Sequence, residues 1–346
     1  MDVLASVSAN DRRVQRVRLL AVLGIAALLL IALGLLAGSD GLSWRALKVD
    51  IASDQATLIL GQIRAPRTIG ALLVGALLGL SGALAQGLFR NPLADPYLLG
   101  SAAGASLAVV LVLAAGSFAG HAISLVTAAW LDRVGLVAAA FCGALAGVAI
   151  TLMLARGAQQ TVRLLLAGVV VGVILGAASD LLTLVSADAL RGKQIFLLGT
   201  TGFLGWQSVV SLAVGLAIAL LLSVRFARVL DALTLGDESA ASLGLPIARL
   251  RTLLVMVFAL ATGLAVSQAG LVAFVGLASP HLVRRLAPGA HGHLLFASAA
   301  AGGVLLLAAD VIARVLLAPQ ELPVGVVTAL VGGIYLLWLL QRRGVS

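Results

Sequence analysis

Long apolar runs alternate along this chain with short stretches that hold most of its arginines. Leu19 to Ala37 carries no charge and, at about 1.5 Å per residue, is long enough to cross ~30 Å of hydrocarbon. A cleaved leader would have an apolar core of only about 7–15 residues, so this run reads as a first span with the N-terminus inside. Ile69 to Phe89, Tyr97 to Gly116, Val134 to Ala155, Leu164 to Ser186 and Phe203 to Val224 follow as spans two to six. Leu253 to Leu282 then runs thirty residues without a charge, too long for one helix. Ser267-Gln-Ala-Gly270 is the expected break, giving spans seven and eight. The eighth contains Pro280, so irregular backbone shielded by protein is expected there. Leu294 to about Leu317 and Leu322 to Leu340 complete the pattern. The pattern predicts an all-α polytopic membrane protein of about ten transmembrane helices, in one domain over residues 1–346. Ser39 to Arg67, Ser117 to Arg133 and the segment carrying Arg191 and Lys193 are read as outer loops, the second with room for a surface helix.

Composition agrees with this class. The chain is 61% hydrophobic and 11% charged, against about 25% charged in soluble domains. The formal charge of +9 raises nucleic acid as a partner, but 4% aromatic content and no soluble segment of domain size argue against it. Arginine marks cytoplasmic loops instead. With ten spans both termini lie inside, and 15 of the 23 Lys and Arg fall on the inner side. The outer eight are Arg45, Lys48, Arg64, Arg67, Arg133, Arg191, Lys193 and Arg314. Fusing spans seven and eight would move Arg342 and Arg343 outside, against the charge rule. Cys142 is the sole cysteine, so no intramolecular disulfide or cysteine metal site exists.

The long polar interruption is Arg225 to Arg251, bracketed by Arg225, Arg228, Arg249 and Arg251 and therefore cytoplasmic. Inside it lies a helix signal of under two turns. Asp237 can cap its start and Glu238 suits the positive end of the dipole. Ala240, Ala241 and Leu243 form a small, smooth face; Gly244 stops the helix and Pro246 forbids its return. A helix this short is not stable alone in water. It reads either as a peg for a socket on a soluble partner or as an ordinary inter-helix loop.

No enzyme constellation is present. A phosphate-binding glycine loop with lysine is missing, so the chain cannot bind and hydrolyse ATP by that route. His291-x-His293 lacks acidic or thiol company and reads as a solvated inner loop, and His281, after Pro280, as a cap or packing residue; neither indicates a metal site or cofactor. Asp180 interrupts span five, where an acid is costly; it faces protein, a cavity or a cation, or else snorkels to the outer end. Gly168, Gly172 and Gly176 form a row on that span. Small residues four apart allow close helix packing, and the same row also suits the smooth wall of a pathway. A weak echo, GLSGALAQG against GLAVSQAGL, pairs spans two and seven in opposite directions, as an inverted repeat requires.

Further residues carry a resemblance. Arg64-Ala-Pro-Arg67, Leu72-Leu-Val-Gly75, Ser81-Gly82, Gln86, Arg90-Asn-Pro-Leu-Ala-Asp-Pro96 and Leu99-Gly100 resemble the FecCD-type permeases of type II ABC importers. So do Leu235-Gly236, Ala240, Leu243-Gly244, Gly270-Leu-Val-Ala-Phe-Val-Gly-Leu277, Pro280-His281, Arg284-Arg285, Asp310, Arg314 and Glu321-Leu-Pro-Val-Gly325. The resemblance spans about residues 15 to 342. It departs at Val331-Gly-Gly-Ile-Tyr335, where the family often has Gly-Ala-Pro, and at Asp180, where an uncharged residue is expected. It implies an inverted-repeat permease in the inner (plasma) membrane, working as a homodimer with two cytoplasmic ATPase subunits and an external substrate-binding protein. It makes the 225–251 loop the coupling helices and lines the pathway largely with the fifth and tenth helices. It assigns Arg64, Arg67 and Arg314 to docking of the binding protein. Without it, Arg64 and Arg67 would be read as anchors to lipid phosphate and Arg314 as a partner of Asp310, four residues away. The cargo it implies is an iron chelate, siderophore or haem, with vitamin B12 or another corrinoid as the alternative. A proton-coupled secondary transporter, with Asp180 and Asp310 as relays, would leave the peg unexplained.

Overall fold

The computed structural model describes residues 9–38, 41–42, 58–119, 125–157, 160–242, 244 and 246–343. Its helices are α1 (Ala9–Leu36), α2 (Ala65–Phe89), α3 (Ser101–Ala119), α4 (Leu125–Leu154), α5 (Thr161–Val185), α6 (Ala187–Leu198) and α7 (Trp206–Arg225). They continue as α8 (Ala227–Thr234), α9 (Asp237–Ser242), α10 (Ile247–Ala269), α11 (Val275–Leu286), α12 (His291–Val315) and α13 (Val324–Arg343). After α1 a two-residue strand pair, Ala37–Gly38 with Gly41–Leu42, turns the chain.

Each expected span has a counterpart: α1 to α5, α7, and α10 to α13. Among the described residues, seven of these are long and apolar enough to cross a membrane unaided. At 12 residues α11 is not, since it rises only ~18 Å. The break in the thirty-residue run falls where Gly270 permits it. Gly270 has φ +69°, and a Cβ there would lie 2.5 Å from the Phe196 carbonyl oxygen. Leu271 N–H donates to that same carbonyl at 2.8 Å, and Thr200 N–H donates to Ala269 O at 2.8 Å. Val272 is 1% exposed, so the unwound backbone is shielded by protein, as a membrane requires.

Part of the shield is the Tyr97 hydroxyl, bonded to Val272 O at 2.9 Å, and part is α6, which lies in the stretch expected only as an outer segment. Its N-cap Ser186 accepts from Ala189 N at 3.2 Å, and Asp188 stands in its first turn. The helices α2 and α4 start earlier than expected. A π-helical turn, Ile59–Arg64, leads into α2 and carries the chain through Pro66 without a break. For α4 the helix already runs from Leu125.

The helix α2 is the hub. It is buried along most of its length, and α12 packs along it. The approach is backbone to backbone: a Cβ on Gly79 would sit 2.1 Å from Ser298 O, and one on Gly75 would sit 2.3 Å from Gly302 O. The pair α3 and α4 repeats this contact through Gly104 and Gly143. Without an apolar driving force between helices in lipid, such close van der Waals fits hold the bundle. Outward faces of α1, α5, α7 and α13 keep large apolar side chains exposed on the single chain, among them Leu28, Val173, Leu221 and Ile334.

Candidate functional site

Between α7 and α10 the chain folds as two short helices, α8 and α9, rather than one peg. Ala227, Leu230 and Leu233 bury one face of α8 against the bundle. Gly236, at φ +102°, turns the chain into α9, and Gly244, at φ +76°, ends it; these backbone angles exclude ordinary side chains. Ala240 and Ala241 do not share a face: Ala240 is fully buried and Ala241 is exposed with Glu238, Ser239 and Ser242. Consecutive helical residues diverge by about 100°, so the inward Ala240 seats the helix and its neighbours form the presented surface. Leu243 lies outside the described residues.

Two carboxylates tie this hairpin down. Asp237, expected as a cap, instead accepts from Arg251 at 2.6 Å and from Arg90 at 3.0 Å. Arg251 is 2% exposed, so one arm of that clamp is anchored inside the bundle. Asp231 on α8 meets the Nδ1 of His291 at 2.7 Å and accepts from the His291 N–H at 3.0 Å. His291 is therefore buried at the first turn of α12, not solvated in a loop, because Asp231 gives it a partner there. Movement of α8 and α9 is thereby linked to α2, α10 and α12. The neighbouring turn after α2 is itself ordered. Asp95 accepts from Tyr97 N at 2.8 Å, and burial pushes its carboxyl above the usual range.

At the opposite end Arg64, Arg67 and Arg314 come together where α1 and α12 end and α2 begins. Arg64 and Arg314 turn their guanidinium groups onto backbone carbonyls of α1. Arg64 donates to the C-terminal carbonyls of α1, at Leu35 (3.1 Å) and Leu36 (3.4 Å). Arg314 is 2% exposed; it donates to Gly34 O at 2.9 Å and pairs with fully buried Asp310. It cannot touch a partner directly, since α1 and α2 cover it. Arg67 reaches furthest out. Its Nε donates to Asp310 at 3.2 Å, and its Nη1 is held by both oxygens of Glu321 at 2.8 and 3.0 Å. Thr201 also donates to Asp310, at 2.5 Å. Glu321 and Thr201 were not expected in this network.

The glycine row of α5 divides. Gly168 is a packing residue: a Cβ there would lie 2.2 Å from the Leu98 carbonyl oxygen. Nothing lies within 4 Å of a Cβ built at Gly172 or Gly176, so these two leave an open surface. Asp180 has a cation, Lys193 of α6, at 2.6 Å and remains exposed near the C-terminal end of α5. The tenth expected span, α13, borders a second open region, a cavity of about 210 Å³ between α11, α12 and α13, lined by Phe274, Leu282, Ile312, Val331 and Tyr335 among others. Toward the C-terminal ends of both helices, Arg285 lies 5.3 Å over the Trp338 ring and ties α11 to α13. Among the described residues no three His, Cys, Asp or Glu side chains converge as metal ligands.

Comparison with known proteins bears on these sites. The model of the FecCD transport family matches residues 25–342. The hemin transport system permease protein HmuU of Yersinia pestis is 38% identical over 327 residues, covering 93% of this chain and 96% of that protein. The vitamin B12 import system permease protein BtuC of Salmonella paratyphi A is 39% identical over 337 residues, covering 96% and 98%. A solved metal-chelate type ABC transporter in an inward-facing conformation superposes with a TM-score of 0.80 over 94% of this chain and 99% of that one, at 24% identity. The PsaBC structure from Streptococcus pneumoniae gives 0.54 over 85% and 93%, at 17% identity. These two likenesses speak to the fold, which is that of a type II ABC importer permease.

Proposed function

The chain belongs to the FecCD transport family, and from that premise we propose that it is the permease of an inner-membrane importer that moves an iron chelate inward. The permease does no chemistry; ATP is hydrolysed on separate cytoplasmic ATPase subunits. The observation that carries the reading is the α8–α9 hairpin, a short polar surface seated by Ala240 and clamped to three helices of the bundle through Asp231 and Asp237. A loop with no partner needs no such rigging. In this reading Glu238, Ala241 and Gly244 meet a groove on the ATPase, with Asp237 and Ala240 holding them in position. Closure of the ATPase dimer then pulls α2, α10 and α12 together.

Two copies of the chain enclose the pathway, with the open side of α5 at Gly172 and Gly176 and the exposed face of α13 turned inward. Gly168 lets α5 lie close to the loop before α3, and Asp180 guards the outer end of α5 with Lys193. Arg64 and Arg67 dock an acidic surface on each lobe of the external binding protein, and buried Arg314 fixes Asp310 and adds positive field. Both termini lie in the cytoplasm, and lipid covers the remaining apolar faces. A proton relay is disfavoured because Asp310 is saturated with donors and Asp180 is paired at the surface.

The cargo is an iron chelate, siderophore or haem, in line with the name of the Yersinia relative. The names of the vitamin B12 and cobalamin permeases support a second reading, a corrinoid carried by the same architecture. Purifying the cognate binding protein from its native source and recording the absorption spectrum of its bound ligand separates the two. Haem or ferric siderophore bands are expected; corrinoid bands would overturn the cargo assignment.

A further inference from the structure

We propose that Glu321 is a built-in competitor at the outer mouth, holding Arg67 until an acidic side chain of the external binding protein displaces it. The inference rests on the docking role proposed above for Arg67. Arg67 stands between two carboxylates of different character. Asp310 is fully buried and also accepts from Thr201 and Arg314, so it stays satisfied whatever occupies the outer edge of Arg67. Glu321 has a side chain 40% exposed, and among the described residues Arg67 is its one ion-pair partner.

The guanidinium is thus held from inside through Nε and presents Nη1 outward, where both oxygens of Glu321 grip it. A partner carboxylate would need the same edge. Exchange is favoured on the Glu321 side, whose carboxylate is 40% exposed and regains water when it leaves, while Arg67, only 12% exposed, needs a replacement carboxylate. Glu321 also stands three residues before Val324, the first residue of α13. Leu322 N–H donates to Ala313 O at 3.0 Å, so the backbone beside Glu321 is anchored to α12 while its side chain reaches Arg67. Displacing Glu321 leaves the buried start of α13 at Val324 in place and removes the ion pair that ties the connection before it to α2, so one carboxylate swap links arrival of the binding protein to the segment leading into α13.

The test compares variants of the complete importer in lipid nanodiscs, binding its cognate soluble protein purified cargo-free. Glu321→Gln should tighten docking about threefold to tenfold at low salt, mainly through faster association, with the gain shrinking at high salt. Glu321→Asp, whose shorter arm reaches Arg67 less well, should give a smaller gain in the same direction; it carries the test if the amide variant does not assemble. In an Arg67→Met background neither change should alter affinity further. Unchanged or weaker docking by the Glu321 variants, with Arg67→Met still weakening it, would overturn the competitor and leave the docking surface intact. No effect of Arg67→Met would overturn the docking reading itself, and the competitor with it.

Discussion

Replacing Gly79 with alanine should destabilise the bundle, whereas replacing Gly172 should not. A Cβ at Gly79 would lie 2.1 Å from Ser298 O, well inside the 3.0 Å that Cβ contacts respect. The same atom would meet the Gly302 Cα at 3.1 Å, so α12 offers backbone on two sides and no side chain that could swing away. To fit the methyl group, α2 and α12 must part by roughly 1 Å. A gap of that size forfeits about a quarter to a half of each dispersion contact it opens. Overpacking of this kind costs about 1–3 kcal/mol, which for a chain of this length corresponds to a fall in Tm of roughly 1–4 °C. At Gly172 no atom lies within 4 Å of the added carbon, and alanine favours the helix by up to about 1 kcal/mol. Thermal unfolding of the two purified variants in one detergent, followed by size-exclusion profile, measures both. Equal Tm values for Gly79→Ala and the parent, or a loss at Gly172→Ala matching that at Gly79→Ala, would refute the reasoning.

Gly244→Glu should abolish assembly with the ATPase subunits, or its stimulation, while the permease stays monodisperse; normal pull-down and transport by this variant would remove the coupling assignment. In a Cys142→Ala background, Gly172→Cys and Gly176→Cys should react with a membrane-impermeant polar thiol reagent, whereas Val171→Cys and Ser179→Cys, at buried positions, should not. Protection of all four in every nucleotide state would show that lipid, not a pathway, covers this face of α5. Arg64→Glu with Arg67→Glu should weaken docking of the binding protein at least tenfold at low salt, and charge-reversed acids on the binding protein should restore part of it. Unchanged affinity without salt dependence would sink that assignment.

What the chain's pattern revealed depended on the range of the interaction. The break at Gly270 was legible because thirty charge-free residues cannot cross a bilayer once, and Ser267-Gln-Ala-Gly270 places two polar side chains and a glycine near the middle. The Asp310–Arg314 pair was legible from four-residue spacing. The limits of α9 followed from Asp237 and Gly244, but its facing did not, because six residues hold too little periodicity to say that Ala240 turns in and Ala241 out. Contacts between distant segments were hidden. Arg67 meets Glu321 across 254 residues and Asp231 meets His291 across 60, and neither sequence spacing nor charge sign points to such partners. Helix α6 did leave a signal, Ser186 as a cap with Asp188 in the first turn, yet Arg191 and Lys193 made the stretch read as a loop. The glycine row of α5 looked uniform because sequence carries no trace of the Leu98 carbonyl lying against Gly168 alone.

The central claim is that this chain moves an iron chelate inward on power from a separate ATPase. Proteoliposomes containing the permease, with ATPase subunits and ATP in the lumen and chelate-loaded binding protein outside, test it directly. Uptake of iron-labelled chelate should require all three proteins, stop with a non-hydrolysable ATP analogue, and persist when an ionophore collapses the proton gradient. Uptake by the permease alone, driven by an imposed pH gradient and indifferent to ATP, would contradict the account.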